Sequence, residues 1–222
     1  PVYRVREGQL MPPDADASGS VGEALQSFCI GVSTSGTTAA ARTVCHSPQA
    51  LLASTIMTAR HQARDVVSPV RLDAEALQET VPQLLMPVET LTFTTSMPAR
   101  SVGGLTILIR ALLLGQRLVA LTGGQAALET ALHLHPGLHM LGLDPVTART
   151  IGRRGPSRLD AAGSIVAAVI GGGHTSSSLA QAVETALGAP ALSGYGLTEM
   201  CGPVSISRLD DSQRDRWLTV GS

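Results

Sequence analysis

The first segment with side chains that could do chemistry has four hydroxyl groups around one glycine. It consists of Thr34, Ser35, Gly36, Thr37 and Thr38, directly after a short apolar run at 28–33. Backbone N–H groups in a turn of this kind form a concave site for an anion, and hydroxyls add further hydrogen bonds. The segment lacks the lysine and the spacing of a Walker A loop. Taken alone, it is compatible with phosphate binding and equally with an ordinary Ser/Thr loop.

The second segment is a run of three glycines, Gly171, Gly172 and Gly173, directly after an apolar, β-branched stretch at 165–170. Glycines that leave a buried strand let a flat or bulky group approach the backbone closely. The same three residues are also compatible with a tight strand-to-helix turn and no ligand.

The third segment combines an aromatic ring, a hydroxyl and a carboxylate. It consists of Tyr195, Gly196, Leu197, Thr198 and Glu199. These groups could stack on a base, contact a phosphate and hold Mg²⁺ through a hard oxygen ligand. A lone Thr-Glu pair, in contrast, is often only a helix cap.

Alternating strands and helices are predicted to position these three segments. Strands are predicted at 28–33, 117–121, 138–143, 165–170, 191–194 and 203–207, with further apolar runs at 83–88 and through Leu91 and Phe93. Helices are predicted from Ser47 and Pro48, and at 104–114, 125–134, 145–153 and 179–187. This alternation predicts an α/β layered fold with helices flanking a largely parallel sheet. In such folds, ligands bind at the carboxyl ends of the strands.

Composition excludes several classes of protein. The chain has 222 residues with 44% hydrophobic and 15% charged, which favours a packed core over disorder. A net charge of −1 gives no long-range attraction to nucleic acid or an anionic membrane.

Three cysteines without metal-type spacing indicate reduced thiols and a cytoplasmic location. The start of the chain lacks the apolar core of a signal peptide, and the apolar stretch 105–121 predicts a buried helix and strand.

In combination, the segments resemble the motifs of the adenylate-forming superfamily, which comprises acyl- and aryl-CoA ligases, peptide-synthetase adenylation domains and luciferases. TSGTTAAARTV at 34–44 is similar to T-S-G-T-T-G-x-P-K-G-V, the glycine turn to G-G-x-x-L-S, and YGLTE matches Y-G-x-T-E. PARSVGGL at 98–105 resembles the P-L-F-H-x-G-G-L segment. The resemblance covers about 28–222, after a lead-in at 1–27, and is greatest to short ligases of the o-succinylbenzoate–CoA ligase type.

The resemblance implies a fold and a reaction: the core of the large N-terminal domain, and activation of a small carboxylic acid by ATP and Mg²⁺. An acyl-adenylate then passes its acyl group to CoA, to a phosphopantetheine carrier protein or to an amine. The phosphate loop would be 34–38, adenine would lie at Gly172, Gly173, Tyr195 and Gly196, and the acyl pocket would include Arg100, Ser101, Gly103, Gly171 and Leu197. Thr198 would contact the α-phosphate, Glu199 would bind Mg²⁺, and Arg42 would replace the loop lysine.

Departures from the family pattern leave a second function open. Ala39 and Ala41 stand where the family has glycine and proline, and Arg42 does not have the compact ammonium of lysine. Ser101 replaces the family histidine and Arg100 an aromatic residue, which favours a polar or acidic substrate or a pocket that binds nothing. All 16 basic residues are arginine, so the chain lacks the catalytic lysine of the family's C-terminal domain. We therefore expect a fragment, or a reduced relative that works as a homodimer or with a complementing subunit; a non-catalytic nucleotide-binding module is the alternative.

Overall fold

The computed structural model describes residues 4–6, 9–11, 29–34, 42–62, 91–113, 115–123, 125–153, 163–208 and 212–218. The apolar run predicted at 83–88 and the start of the strand predicted at 28–33 lie outside these ranges. Within them, the strands are β1 (Arg4–Arg6), β2 (Gln9–Met11), β3 (Ile30–Ser33), β4 (Thr43–His46), β5 (Leu91–Thr95), β6 (Arg117–Ala120), β7 (Gly137–Leu143), β8 (Gly163–Ile170), β9 (Ala191–Leu197) and β10 (Gly202–Ile206). The helices are α1 (Pro48–Gln62), α2 (Val102–Leu113), α3 (Gln125–Leu134), α4 (Pro145–Gly152), α5 (Ser177–Leu187) and α6 (Gln213–Leu218), with a 3₁₀ turn at Thr198–Met200.

A six-stranded sheet forms the centre of the described structure, in the order β10-β9-β8-β7-β5-β6. Four of its five strand pairs are parallel: β5 with β6, β5 with β7, β7 with β8, and β8 with β9. The fifth pair, β10 with β9, is antiparallel. The α/β fold with a largely parallel sheet is therefore confirmed. Strand order in such sheets is not sequential because each parallel pair needs a crossover, which the helices supply.

Both faces of this sheet are covered by apolar side chains. On one face, Leu141 and Leu143 of β7 pack with residues of α3, α4 and α5 in a cluster that includes Leu128, Ile151 and Val183. On the other face, Phe93 and Met140 pack with Leu192 and with Ile107 of α2. Neighbouring residues of β7 alternate between the two clusters because successive side chains of a strand point to opposite faces. Two buried faces explain why the strands read as nearly continuous apolar runs.

The helix ends follow the predicted capping residues. Ser47 accepts a hydrogen bond from the N–H of Ala50 at 3.1 Å, just before Pro48 begins α1. Ser176 accepts from the N–H of Leu179 at the start of α5, and Gly188 ends that helix with φ 62°. Hydroxyl caps satisfy N–H groups that have no partner inside the helix. None of the described helices has the length and apolar character that crossing a bilayer requires.

Three features of the secondary structure differ from the prediction. The segment predicted as a loose lead-in contains the antiparallel pair β1–β2, and β4 pairs antiparallel with β3. β9 extends to Leu197, three residues beyond the predicted end at Gly194. The reason is that residues Tyr195 and Leu197 pair with β10, opposite Ser205 and Gly202. A stretch without a regular apolar alternation becomes a strand when a partner satisfies its backbone groups.

His139 is a polar side chain inside this core. Its Nε2 lies 2.7 Å from the carbonyl oxygen of His135, and its Nδ1 lies 2.8 Å from the hydroxyl of Thr94. Because a carbonyl only accepts, Nε2 carries the proton, and Nδ1 accepts from Thr94. Burial lowers the pKa of His139 below its ordinary value. The imidazole is therefore a neutral link between β5 and β7 rather than an unsatisfied polar group.

Candidate functional site

The carboxyl ends of three neighbouring strands meet at one edge of the sheet. The register pairs Thr95 with Gly142 and Leu143 with Ile170, so β5, β7 and β8 end side by side. The residues that leave these strands are Ser96, Asp144 and Gly171, and β9 passes beside them because Ile170 pairs with Ser193. This is the edge at which parallel sheets bind ligands, and the predicted glycine turn lies on it.

The glycine turn contacts both neighbouring strands. The N–H of Gly171 donates to the carbonyl of Leu143 at 3.0 Å, and Gly172 has φ +81°, in the region that favours glycine. A Cβ on Gly173 would lie 3.1 Å from Cγ of Pro145, which leaves little room for a side chain. Gly172 and Gly173 are exposed. The turn therefore presents bare backbone to the solvent at this edge.

Met97 connects this turn to the segment predicted as the acyl pocket. A Cβ on Gly172 would lie 3.3 Å from Cε of Met97, and a Cβ on Gly103 would collide with the same methyl group. The start of α2 and the glycine turn therefore pack on the same side chain. Gly103 and Gly172 thus lie on either side of Met97, a residue that sequence reasoning missed. Its only sequence signal is an apolar residue shortly after the polar end of β5.

Asp144 is the second functional candidate that sequence reasoning missed. Its carboxylate accepts from the N–H groups of Val146 and Thr147, from the Thr147 hydroxyl at 2.7 Å and from the Ser96 hydroxyl at 2.6 Å. Burial raises the pKa of Asp144, but the hydrogen bonds from Ser96 and Thr147 outweigh it, and the pKa is lowered overall. Asp144 therefore ties the ends of β5 and β7 to the start of α4. An Asp-Pro pair before a helix was its sequence signal.

Ser101 acts as the N-cap of α2. Its hydroxyl donates to the carbonyl of Pro98 at 2.8 Å and accepts from the N–H of Gly104 at 3.2 Å. Neighbouring Arg100 is exposed. The Ser101 hydroxyl, at the position of the family histidine, thus makes its hydrogen bonds within its own turn. The charged side chain in this segment is that of Arg100.

The Tyr-Gly-Leu-Thr-Glu segment lies along the end of β9 and the 3₁₀ turn that follows. Tyr195 and Leu197 keep 45% and 43% of their surface exposed, and Glu199 is exposed as well. Cys201 closes the turn with φ 63°, and its N–H donates to the carbonyl of Thr198 at 3.1 Å. Gly194 contacts Gly171 at the sheet edge. Thr198 lies four residues further along the chain, at the start of the 3₁₀ turn, which places it within about 14 Å of that contact.

Gly196 has a packing role that its motif did not indicate. A Cβ at this position would lie 2.5 Å from the carbonyl oxygen of Gly202 and 3.0 Å from Cα of Pro203. We expect Gly196→Ala to lower the free energy of unfolding by about 1–3 kcal/mol, because the backbone of β10 must move. Urea unfolding followed by circular dichroism would measure this.

The matched control for this substitution is Gly171→Ala. The nearest atom to its added Cβ is the carbonyl oxygen of Gly194 at 3.5 Å, an ordinary contact. Equal losses of stability for the two variants would contradict the packing role of Gly196.

The base of the hydroxyl-rich loop is held by two reciprocal hydrogen bonds. The N–H of Thr34 donates to the carbonyl of Arg42 at 2.8 Å, and the N–H of Arg42 donates to Oγ1 of Thr34 at 3.2 Å. Arg42 is exposed. The remaining predicted loop residues, Ser35, Gly36, Thr37 and Thr38, lie outside the described residues. Whether they converge with the glycine turn therefore stays a prediction.

Helix α1 connects this hairpin to the rest of the edge. It begins two residues after β4, and its Ser54 hydroxyl lies 3.1 Å from the position of a Cβ on Gly202. Gly202 is three residues beyond Glu199. The helix that follows the hydroxyl-rich hairpin thus packs beside the turn that carries Glu199.

Comparison with solved structures supports the same architecture. The chain is similar to o-succinylbenzoate coenzyme A synthetase (MenE) from Bacillus subtilis in complex with ATP and magnesium ion, with TM-score 0.59 and 16% identity over 86% of this chain and 34% of that chain. It is similar to the N-terminal domain of FACL13 from Mycobacterium tuberculosis, with TM-score 0.59 and 20% identity over 84% and 41%. For a variant of E. coli MenE with bound OSB-AMS, the TM-score is 0.56 and the identity 22% over 91% and 36%. At these identities the similarity concerns the fold, and the chain spans between 34% and 41% of those structures.

Sequence comparison gives a more specific result. No curated protein sequence matches the chain. The sequence profile of the family described as AMP-binding enzyme matches residues 24–222, which is most of the chain. The resemblance found in the motifs is thereby confirmed, and the chain belongs to the AMP-binding enzyme family.

Proposed function

We propose that this chain forms the nucleotide- and acid-binding part of an enzyme that activates a carboxylic acid with ATP. A carboxylate oxygen attacks the α-phosphorus, pyrophosphate leaves, and the acyl-adenylate is then transferred to the thiol of CoA or of a phosphopantetheine carrier. One observation carries the proposal: in a member of the AMP-binding family, the glycine turn lies beside Gly194 of β9, directly before the Tyr-Gly-Leu-Thr-Glu segment. MenE, which has the same fold, binds ATP and magnesium.

The nucleotide would contact exposed backbone and an exposed ring. Gly172 and Gly173 present backbone at the sheet edge, and Tyr195 keeps 45% of its surface exposed. An adenine could lie between them, since aromatic faces and bare backbone accept a flat base. Gly196 would contribute through its backbone. Thr198 would donate to the α-phosphate.

Glu199 fits the requirements of a magnesium ligand. Its carboxylate is exposed, and no hydrogen bond or ion pair to another described residue engages it. No group of three or more metal-binding side chains occurs within the described ranges. Mg²⁺ is usually held by one or two carboxylates together with phosphate oxygens and water, so a single glutamate suffices. When bound, the ion would neutralise charge that develops on the phosphates.

The hydroxyl-rich loop would bind the β- and γ-phosphates. Thr34 and Arg42 stand at its base, and the exposed guanidinium of Arg42 would contribute positive charge to the phosphates. Hydrogen-bond donors aimed at developing negative charge stabilise the transition state of phosphoryl attack. We assign the same role to Ser35, Gly36, Thr37 and Thr38.

The acid would bind between the start of α2 and the glycine turn. Gly103 and Gly172 lie on either side of Met97, and Gly171 directly precedes Gly172. Leu197 is exposed on β9. Since the Ser101 hydroxyl caps α2, Arg100 is the charged group available to a second carboxylate. We therefore propose a polar or acidic substrate. The reduced thiols favour a cytoplasmic location.

Exchange of labelled pyrophosphate into ATP, measured across a panel of carboxylic acids, tests this function. We expect exchange that depends on the acid and is greater for dicarboxylic acids than for simple fatty acids. An absence of exchange with retained ATP binding by calorimetry would favour the alternative, a non-catalytic nucleotide-binding module. That alternative is motivated by Ala39, Ala41 and Arg42 in the phosphate loop. An amine in place of the thiol acceptor would leave the exchange reaction unchanged.

A further inference from the structure

The ribbon formed by β3 and β4 exposes two cysteines on the same face. Its register pairs Ile30 with His46 and Gly31 with Cys45. Cys29 directly precedes β3, and side chains two residues apart on an extended chain share a face. Cys29 and Cys45 are both exposed free thiols. His46, on the opposite face, is buried.

The two thiols are diagonal neighbours across the ribbon. Gly31, which stands opposite Cys45, has no side chain, and the place where its Cβ would lie is approached by Cγ2 of Thr43. The Cys45 thiol raises the pKa of Cys29, through side-chain hydrogen bonding and through its charge. Diagonal neighbours in an antiparallel pair have Cα atoms about 7–8 Å apart. Disulfides span about 4.4–6.8 Å between Cα atoms, so a small movement of the end of the ribbon suffices.

We propose that Cys29 and Cys45 form a redox modification site, at which a hydroperoxide oxidises the two thiols to an intrachain disulfide. The deprotonated sulfur of Cys45 attacks one peroxide oxygen, the O–O bond breaks, and Cys45 becomes a sulfenic acid. The sulfur of Cys29 then attacks the sulfur of Cys45, the S–O bond breaks, and water leaves. With hydrogen peroxide, two thiols lose two electrons and two protons, and the peroxide becomes two molecules of water.

The third cysteine provides an internal comparison. Cys201 keeps 7% of its surface exposed, and burial raises the pKa of its thiol. Thiol oxidation depends on access and on the thiolate form, and both are unfavourable at Cys201. The proposed site therefore involves two of the three cysteines. It does not depend on the function proposed for the sheet edge.

Mass spectrometry of the oxidised chain tests the proposal directly. The reduced chain is treated with hydrogen peroxide, alkylated and digested with trypsin, which cleaves after Arg6, Arg42 and Arg60 and thus separates Cys29 from Cys45. We expect peptides 7–42 and 43–60 to appear as one cross-linked species, two hydrogen masses below their sum. Its rate of formation should not change when the protein is diluted about tenfold, since intramolecular closure is independent of protein concentration.

Three variants complete the experiment. Cys29→Ser and Cys45→Ser should each abolish the cross-linked species, whereas Cys201→Ala should leave it unchanged. Both exposed positions tolerate serine, and a thermal unfolding curve of each variant checks that it is folded. Separate alkylated peptides in the oxidised wild-type chain would overturn the proposal. Disulfide-linked dimers that form faster at higher protein concentration would overturn it as well.

Discussion

Replacing Glu199 with glutamine is expected to reduce carboxylate-dependent pyrophosphate exchange by about 100-fold or more, equivalent to about 2.7 kcal/mol of transition-state stabilisation. Glutamine has nearly the same shape but no negative charge for Mg²⁺. Glu199 is exposed on a one-turn 3₁₀ helix, so its replacement should leave the fold intact. Steady-state exchange at saturating ATP and acid, with magnesium varied, would measure the loss.

Glu129→Gln is the matched control, because Glu129 is an exposed glutamate on α3. This variant should retain exchange at the wild-type rate. The assignment of Glu199 as the magnesium ligand would be wrong if Glu199→Gln kept full exchange with an unchanged dependence on magnesium.

Asp144→Ala is expected to lower the free energy of unfolding by about 2–4 kcal/mol, since it removes a helix cap and two side-chain hydrogen bonds together. The lost cap leaves the N–H groups of Val146 and Thr147 without their acceptor. The lost bonds from Ser96 and Thr147 release β5 from the start of α4. Urea unfolding monitored by far-ultraviolet circular dichroism would determine the change.

Two milder variants separate the contributions of Asp144. Thr147→Val removes the 2.7 Å hydrogen bond from the Thr147 hydroxyl and keeps the helix cap. It should therefore lower the free energy of unfolding less than Asp144→Ala does. Asp144→Asn retains an oxygen that can accept from the helix N–H groups, so it should be intermediate. If Asp144→Ala lowers the free energy of unfolding no more than Thr147→Val does, the cap and the hydrogen bond from Ser96 contribute little to stability.

The lowered pKa of Asp144 also predicts how stability depends on pH. A carboxyl group whose pKa is lower in the folded chain than in the unfolded chain stabilises the folded state. This contribution is complete at pH values above the unfolded pKa, about 4, and is lost as the pH falls through the folded pKa. Asp144→Asn should therefore flatten the stability curve below about pH 4. Part of the dependence of stability on pH should remain in this variant, because the pKa of Glu184 is also lowered. Burial raises the pKa of Glu184, but hydrogen bonds from Ala191, Gln213 and Arg216 outweigh it.

Elements with strong local signals were predicted from the sequence. Helix α3 was predicted with the bounds that the structure has, and the Ser176 and Gly188 caps of α5 were identified. These are cases in which capping residues and apolar periodicity determine the conformation of neighbouring residues. The alternation of strands and helices was enough to predict a parallel sheet, because parallel strands require crossovers.

The features that were missed depend on pairing with the neighbouring antiparallel strand. β4 is four residues long and becomes a strand because β3 pairs with it. The last three residues of β9 are strand because β10 satisfies their backbone groups. Neither stretch has an apolar alternation that would reveal it. Pairing of this kind is a tertiary effect that overrides weak local preference.

The candidate site divides in the same way. Local motifs were enough to predict the types of its chemical groups and the family. These groups are three glycines in a turn and a Tyr, Thr and Glu at one strand end. Three contacts could be seen only in three dimensions. Met97 packs against both Gly103 and Gly172, Asp144 joins two strand ends, and the backbone of β10 closely approaches Gly196. Residue types and short spacings lie along the chain, whereas contacts between strand ends are set by the register of the sheet. That register depends on packing over both of its faces.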